Sequence, residues 1–287
     1  MRFAHIVLPE TTEPQLVAIR GDEAIAVAAL FDGAPSALQA LIDGGDDLLA
    51  RVRAASADVA GVPWAGLEFA PAVAAPPVVL AIGLNYAAHS SELGLKRDAA
   101  PTVFVLWPNS LSGHESTTCW PRTLSASIDY EAELGVVIGR PAKNVAETDA
   151  LAHVWGYTVV NDITARDIQF SEAQWSRCKS FDGFTPNGPF VVTADEIADP
   201  QALHIWTVLD GHTVQDASTS GMIRSVATLV SYLSRSATLL PGTLISTGSP
   251  GGAGYSREPQ IFLRDRSSVT VGIDGIGELT THCRILD

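Results

Sequence analysis

Short apolar runs rich in Val, Ile and Thr recur along the last three quarters of the chain, and Gly, Pro, Asn or Asp separates them. Runs of this kind predict β-strands bounded by turns. Val226, Leu229, Val230 and Leu233 repeat with helical spacing and predict a helix from Arg224 to Arg235. Predicted strands cover 78–82, 102–106, 131–138, 157–161, 190–193, 205–209, 243–247, 261–263, 269–273 and 278–283, with weaker helices at 149–154 and 165–175.

The first seventy or so residues form a separate pattern, in which residues 3–8 and 16–30 predict short antiparallel strands and two helices follow. The side chains of Ser36 and Asp46 are predicted to cap these helices. A Pro- and Ala-rich stretch at 70–77 is typical of a linker. We therefore predict a small N-terminal α/β domain at 1–72 and a larger domain at 73–287. Strands dominate without a regular βαβ alternation, which predicts a strand-dominated α+β fold.

Composition narrows the classes of function. The 287 residues are 46% hydrophobic and 17% charged, which suits a globular protein. The formal charge of −14 disfavours nucleic acid as a partner, because phosphate backbones would be repelled. Three widely spaced cysteines suggest neither a zinc ribbon nor a disulfide framework, and we expect a cytoplasmic protein. We find neither a signal peptide nor an apolar run long enough to span a membrane.

Three carboxylates are candidate metal ligands. Glu131 and Glu133 alternate along a predicted strand, so they point to the same side. Two carboxylates held this close repel each other unless a cation lies between them, and a divalent cation with oxygen ligands would serve. Asp162 ends a second apolar strand, where a third ligand would complete the site. The alternative for an isolated Glu-x-Glu is a solvated acidic edge strand.

Polar residues downstream of Asp162 are candidates for contacts with an anionic substrate. Thr164 is predicted to cap a helix, on which Arg166 and Gln169 share one face and could bind a carboxylate or keto oxygen. Lys179 could stabilise developing negative charge near a metal-bound carbonyl. The alternatives are an ordinary surface helix and a lysine whose ammonium merely reaches water.

His89 and Glu92 have the spacing of neighbours on a short helix. A carboxylate beside an imidazole orients it and raises its basicity, which suits a general base. A helix cap or a surface His–Glu pair is the alternative. The glycine-rich segment from Thr247 to Gly254 lacks the lysine of a nucleotide phosphate loop. Its backbone could still hold a substrate carboxylate, or it could be a plain turn.

These segments together resemble the fumarylacetoacetate hydrolase family from about Val78 to the C-terminus. The resemblance rests on the segments 83–92 (GLNYAAHSSE), 129–139 (DYEAELGVVIG), 161–169 (NDITARDIQ), 179–182 (KSFD) and 245–250 (ISTGSP). It implies a mixed β-sandwich roll, a homodimer, and activity on 2-oxo acids and 1,3-diketones. It also implies Mg²⁺ as the cofactor, with Mn²⁺ or Ca²⁺ as substitutes.

The resemblance also implies roles for individual residues. The metal ligands fall on Glu131, Glu133 and Asp162. The catalytic dyad falls on His89 and Glu92, which a lid carries in this family, and the active-site lysine falls on Lys179. The positions near substrate are Arg166 and Gln169, to which we add Thr247, Gly248 and Ser249 of the glycine-rich segment as candidate substrate-binding residues.

Two positions depart from the family pattern. Trp107 stands where a lysine usually precedes a proline, and Arg224 stands where an aromatic residue usually follows Met-Ile. If these positions touch substrate, the substrate differs from the usual ones and is bulkier or more aromatic. The sequence predicts a metal-dependent hydrolase that cleaves a C–C bond in an acylpyruvate or a fumarylacetoacetate-like substrate. An oxaloacetate-type decarboxylase, a 2-hydroxyhepta-2,4-diene-1,7-dioate-type isomerase and a non-catalytic small-acid binding protein remain open.

Overall fold

The computed structural model of this protein describes residues 1–87, 92 and 100–287. Its strands are β1 (Arg2–Val7), β2 (Gln15–Arg20), β3 (Glu23–Ala26), β4 (Val62–Pro63), β5 (Glu68–Phe69), β6 (Val79–Gly83), β7 (Thr102–Leu106), β8 (Leu111–Ser112), β9 (Ser116–Pro121), β10 (Ile128–Asp129), β11 (Ala132–Ile138), β12 (Val154–Asn161), β13 (Thr164–Ala165), β14 (Thr185–Thr193), β15 (His204–Leu209), β16 (His212–Ser218), β17 (Leu244–Ser246), β18 (Ser268–Ile273) and β19 (Gly277–Leu286). Its α-helices are α1 (Leu38–Asp43), α2 (Gly45–Ser56), α3 (Arg166–Ser171) and α4 (Val226–Ser236).

A large mixed sheet forms the centre of the molecule. Its strand order is β4-β3-β2-β1-β14-β12-β11-β17-β6-β7, with β5 beside β1 and β8 beside β14. Strand β11 is buried along its whole length and pairs antiparallel with β12, Ala132 lying opposite Asn161. Because the two strands run in opposite directions, the beginning of β11 meets the end of β12. The predicted metal ligands Glu131, Glu133 and Asp162 lie at this shared end of β11 and β12.

Apolar layers cover both faces of the large sheet. A second sheet, ordered β16-β15-β18-β19-β9, packs on one face together with α4, and Leu134, Ile205 and Val271 belong to this core. The N-terminal helices cover the other face, where Leu41 and Val137 share a second core. Two packed sheets with few helices confirm the strand-dominated α+β fold of the β-sandwich roll type.

Most of the predicted elements occur, with shifted ends. The helix predicted from Arg224 begins at Val226, where the Ser225 side chain accepts a hydrogen bond from Thr228 N. The predicted strand at 261–263 is wrong: this stretch is irregular and packs in a third core beside Tyr130. It makes only isolated backbone bonds, among them one from the Leu263 amide to the Ile128 carbonyl.

The three predicted side-chain caps are also wrong. Helix α1 begins after Ala37, and α2 follows Gly44 with Asp46 already in its first turn. The Thr164 hydroxyl donates to the Asp162 carbonyl, and Ala165 precedes α3. Helices α1 and α3 begin one residue later than the capping pattern indicates, and α2 begins two residues earlier.

The N-terminal strands extend the large sheet. Strand β1 pairs antiparallel with β14, Phe3 lying opposite Val191, and β2 to β4 continue outward from it. The division at residues 72 and 73 stays a prediction. Across the described residues, every helix is too short or too polar to cross a membrane.

Candidate metal centre

Three buried carboxylates meet where β11 begins and β12 ends. Glu131 directly precedes β11, Glu133 lies within it, and Asp162 directly follows β12. Their exposed fractions are 4%, 2% and 1%, and each offers an oxygen within 4.8 Å of the others. The backbone fixes this meeting point, because the Asp162 amide donates to the Glu131 carbonyl over 2.9 Å. The predicted clustering of these three side chains is confirmed as geometry.

The cluster is electrostatically strained. Burial and the negative charges of Asp162 and Glu131 raise the pKa of Glu133 well above its usual value. Burial also raises the pKa of Asp162, to about 6, although the ammonium of Lys179 opposes this shift. Carboxylates that cannot easily ionise together indicate a site at which an additional cation binds and stabilises their negative charges.

Lys179 lies inside the cluster. Its Nζ donates to Glu131 Oε2 over 2.7 Å and to Asp162 Oδ2 over 2.5 Å. Burial lowers the pKa of Lys179, but the carboxylates of Asp162 and Glu131 outweigh burial, and the net pKa is raised. Lys179 is therefore a cation, so the alternative of an ammonium reaching bulk water does not hold.

The residues present fit a divalent cation. In the described part of the chain, Asp162 Oδ1 is buried and has no hydrogen-bond partner, which leaves a lone pair free for a ligand. Within the described ranges, the ion pairs of Asp129, Glu131 and Asp162 are with Lys179 and Arg166. A divalent cation would relieve the repulsion among the clustered carboxylates, and their oxygen ligands suit Mg²⁺, Mn²⁺ or Ca²⁺.

The glycine-rich segment holds Glu133 in place. The Ser246 hydroxyl and the Gly248 amide donate to Glu133 Oε2 over 2.5 and 2.8 Å. The Thr247 hydroxyl donates to the Leu134 carbonyl, so this side chain faces β11 and not a substrate. Ser249 lines the cavity beside the carboxylates. The glycine-rich segment therefore both holds Glu133 and forms part of the cavity wall, so it is more than a plain turn.

Arg166 and Gln169 are buried behind the cluster. Arg166 Nη2 lies 2.7 Å from Glu131 Oε1, and its Nε donates to Asp129 Oδ2 over 2.8 Å. Its Nη1 donates to Gln169 Oε1 over 2.9 Å. Arg166 has no exposed surface, so the alternative of an ordinary surface helix is wrong at this residue. Gln169 also lines the cavity, which Arg166 does not.

A small cavity opens beside the carboxylates, and aromatic rings form one wall of it. Phe104 and Trp175 stack edge to face with centroids 5.6 Å apart. Gly83 permits this arrangement, because a Cβ at this position would lie 2.3 Å from Trp175 Cζ3. The remaining lining residues are Ile82, Leu84, Glu131, Glu133, Asp162, Gln169, Lys179 and Ser249.

The two residues that depart from the family pattern are not among those lining this cavity. Trp107 is 44% exposed, and its amide donates to the Ser180 hydroxyl. The Arg224 backbone exchanges hydrogen bonds with the Asn85 side chain. Among the described residues, Phe104 and Trp175 are the aromatic residues that line the cavity beside the carboxylates, and the sequence reasoning singled out neither.

Of the predicted dyad of His89 and Glu92, the structure describes Glu92. His89 lies outside the described residues. The Glu92 carboxylate is exposed and accepts hydrogen bonds from the Gly252 amide and the Ser256 hydroxyl, each over 3.0 Å at its shortest. The glycine-rich segment and the residues just after it therefore contact both Glu92 and, through Gly248, Glu133.

Two further buried residues at the site were missed. Gln215 on β16 accepts from the Ala132 amide over 3.0 Å and donates to Ser249 and Pro250. Asp129 carries four hydrogen bonds. The sequence signal for Asp129 is its place two residues before Glu131, in alternation with Glu131 and Glu133, whereas Gln215 has no signal.

Comparison with known proteins gives the same family that the motifs indicated. The model of the fumarylacetoacetate (FAA) hydrolase C-terminal domain matches residues 78–284. A presumed hydrolase of Burkholderia lata is 44% identical over 207 residues, which are 71% of this chain and 73% of the relative. A crystal structure described as a presumed HpcE protein of Mycobacterium smegmatis is 34% identical, with full coverage of both chains and a TM-score of 0.90.

Other solved structures with full coverage of both chains carry named activities. The fumarylacetoacetate hydrolase of Exiguobacterium antarcticum is 30% identical with a TM-score of 0.87. The 5-carboxymethyl-2-hydroxymuconate delta-isomerase of Mycobacterium smegmatis is 29% identical with a TM-score of 0.78. The maleylpyruvate hydrolase of Sphingobium sp. SYK-6 is 26% identical with a TM-score of 0.84. With the fold and the buried carboxylates, these matches show that the chain belongs to the fumarylacetoacetate hydrolase family.

Proposed function

We propose that this protein is a divalent-metal-dependent hydrolase that cleaves a C–C bond in a 2-oxo acid or 1,3-diketone of the acylpyruvate type. The observation that carries the proposal is the buried triad of Glu131, Glu133 and Asp162 with one carboxylate oxygen unpaired beside the cationic Lys179. Two of the solved relatives are named as hydrolases of 2-oxo or diketo acids, which supports this class of substrate.

The three carboxylates would hold the cation, for which Mg²⁺ is the expected ion. When bound, such an ion supplies Lewis-acid polarisation of the carboxylate and 2-oxo oxygens of a chelating substrate. Lys179 brings a second positive charge to the same cavity, where it would stabilise an oxyanion on the substrate. The aromatic wall of Phe104 and Trp175 excludes water from one side of that space.

We assign the activation of water to His89, with Glu92 as its orienting carboxylate. This assignment rests on the sequence resemblance. His89 would remove a proton from water, and the water oxygen would attack the distal carbonyl carbon. The C–C bond would then break, leaving its electron pair on the 2-oxo acid portion as an enolate, and the released fragment with the new oxygen as a carboxylic acid. Return of the proton to the enolate carbon gives the 2-oxo acid. Loss of a general base lowers the rate about 10²–10⁴-fold, so His89→Ala should lower kcat by that factor.

An assay with acylpyruvates tests the proposal directly. Purified protein is incubated with an acylpyruvate in Mg²⁺ or in EDTA, and pyruvate and the released acid are quantified. We expect stoichiometric release of both products with Mg²⁺ and none with EDTA. Asp162→Asn should release neither product. Equal activity in EDTA, or an unchanged rate in Asp162→Asn, would contradict the proposal.

Isomerisation of a hydroxydienedioate is the second candidate, favoured by the solved relative named as a delta-isomerase. Lys179, with the positive charge of a cation held by the same carboxylates, would stabilise an enolate whether a proton or an acyl group is lost. The two activities differ in whether water adds to the substrate. Mass spectrometry in H₂¹⁸O separates them, because hydrolysis places ¹⁸O in the released acid and isomerisation leaves the substrate mass unchanged.

We further propose that the protein assembles as a homodimer and acts on a small molecule, with neither nucleic acid nor a membrane as partner. Strand β7 is the last strand in the order of the large sheet. Val103 and Val105 on it, and Trp107 just after it, are 38%, 41% and 44% exposed. Exposed apolar side chains on a terminal strand favour association. Light scattering should give twice the chain mass of 30.2 kDa, and a monomer mass at micromolar concentration would contradict the assembly.

A further inference from the structure

Asp129 is a fully buried carboxylate that stands behind the metal-ligand candidates. Its Oδ2 accepts hydrogen bonds from Arg166 Nε over 2.8 Å and from the Tyr255 amide over 3.0 Å. Its Oδ1 accepts from the Gly254 amide over 2.8 Å and from the Tyr130 amide over 2.9 Å. Four donors converge on one side chain, so its negative charge is an anchor for two separate parts of the chain.

One of these parts is the guanidinium that fixes Glu131. Arg166 Nη2 lies 2.7 Å from Glu131 Oε1, while Nε of the same guanidinium donates to Asp129. A guanidinium is planar and its donors form a rigid fork, so a fixed Nε determines where Nη2 points. The position of Glu131 Oε1 therefore depends on the contact between Arg166 and Asp129, while Lys179 holds Oε2.

The other part is the glycine-rich segment and the residues just after it. A Cβ on Gly254 would lie 2.7 Å from Asp129 Oδ1 and 1.7 Å from the Ile261 carbonyl oxygen, so only glycine permits this approach. The beginning of the same segment holds Glu133 through the Gly248 amide. One segment is thus tied to Glu133 at one end and, through Asp129 and Arg166, to Glu131 at the other.

We propose that Asp129 is a positioning residue that couples the glycine-rich segment to the metal ligand Glu131 through Arg166. The inference rests on the proposed metal site. An asparagine at 129 keeps the shape but turns an amide donor toward one pair of the four donors and removes the charge that Arg166 needs. Glu131 then loses its fixed orientation, and metal affinity falls. Partners that orient metal ligands typically contribute 10–100-fold to affinity.

Mn²⁺ binding measured by electron paramagnetic resonance on metal-free protein tests this role apart from activity. We expect Asp129→Asn to raise the Kd for Mn²⁺ about 10–100-fold. Asp167→Asn is the matched control. Asp167 lies on α3 next to Arg166. Its carboxylate accepts hydrogen bonds from the Ser125 hydroxyl and the Ile168 amide, and Asp167→Asn should bind Mn²⁺ like wild type.

Thermal unfolding in EDTA identifies which variants are folded. If Asp129→Asn does not fold, Arg166→Lys decides the matter. It keeps the buried charge but cannot reach Asp129 and Glu131 together, and its Kd should rise in the same range. A folded Asp129→Asn, or in its place a folded Arg166→Lys, with the wild-type Kd would overturn the positioning role. Failure of the wild-type protein itself to bind Mn²⁺ would instead refute the metal site, and the inference with it.

Discussion

Glu133 shows how single residues at this site are held against their own electrostatic preference. It is buried beside two other carboxylates, and its pKa is raised well above the usual value by burial and by those charges. Ser246 and Gly248 nevertheless donate hydrogen bonds to it and keep it in position. Residues strained in this way occur where function requires them, and stability is lost in exchange.

Glu133→Gln should therefore stabilise the metal-free protein while it removes the response to metal. The glutamine oxygen can still accept from Ser246 and Gly248, but the repulsion from Asp162 and Glu131 is gone. We expect the free energy of unfolding in EDTA to rise by about 0.5–2 kcal/mol, the usual range for a single stabilising substitution. Calorimetry with and without Mg²⁺ measures both effects. A metal-free variant less stable than wild type, or one that Mg²⁺ still stabilises, would count against this account.

Lys179 is expected to serve catalysis more than metal binding. Lys179→Met removes the charge and keeps much of the volume, so an oxyanion on the substrate would lose its stabilisation. We expect kcat to fall about 10²–10³-fold, as for other single donors to an oxyanion. The Kd for Mg²⁺ should not rise, because the carboxylates lose a competing cation. Kinetics and calorimetric titration measure the two quantities.

Lys143 provides the matched control for this substitution. It is exposed on the surface, so Lys143→Met should keep both constants at their wild-type values. A near-normal kcat for Lys179→Met would show that Lys179 has no catalytic role. A much weaker affinity of this variant for Mg²⁺ would show that Lys179 holds the metal ligands in place instead.

At the scale of secondary-structure elements, the sequence predicted the candidate metal ligands better than it predicted the residues that hold them in place. Glu131 and Glu133 alternate along one strand and Asp162 ends another, and these are local patterns that periodicity detects. Gln215 contacts Ala132 and Ser249 across long sequence separations, so no local pattern indicates it. The stretch at 261–263 is apolar because it packs in a core, and apolar character alone does not distinguish a strand from a packed loop.

Helix α4 offers a test of local stability far from the chemistry. The Ser225 hydroxyl accepts from the Thr228 amide, one of the donors left unpaired at a helix start. Ser225→Ala should lower the free energy of unfolding by about 1 kcal/mol. The control is Ser236→Ala at the exposed last position of the helix, which should change it little. Urea denaturation compares them, and equal effects of both variants would argue against the cap.

Across the whole molecule, the N-terminal segment is joined to the rest by buried polar contacts as well as by the sheet. The His5 ring on β1 lies with Nδ1 3.2 Å from the Ala72 carbonyl, and the Leu38 amide donates to Nε2 over 3.4 Å. One nitrogen donates and the other accepts, so the ring is neutral. Burial lowers the pKa of His5, although the bond to Ala72 opposes this shift.

This ring predicts a loss of stability in mild acid. Above about pH 6.5 the ring is neutral in both states. Below it the unfolded chain binds a proton that the folded chain does not, so the free energy of unfolding falls as pH decreases. The loss is at most about 1.4 kcal/mol per pH unit for one proton. Urea denaturation between pH 7.5 and 5 should show a shallower pH dependence for His5→Gln than for wild type. The exposed His212→Gln serves as control, and parallel curves for wild type and His5→Gln would refute the prediction.

Glu131, Glu133 and Asp162 are proposed to bind one divalent cation. A crystal structure of the protein grown with Mn²⁺, with data collected at a wavelength where manganese scatters anomalously, tests this site. We expect one strong anomalous peak bound by an oxygen from each of the three carboxylates, with Asp162 Oδ1 now paired. An empty triad in crystals that hold Mn²⁺ elsewhere would contradict it.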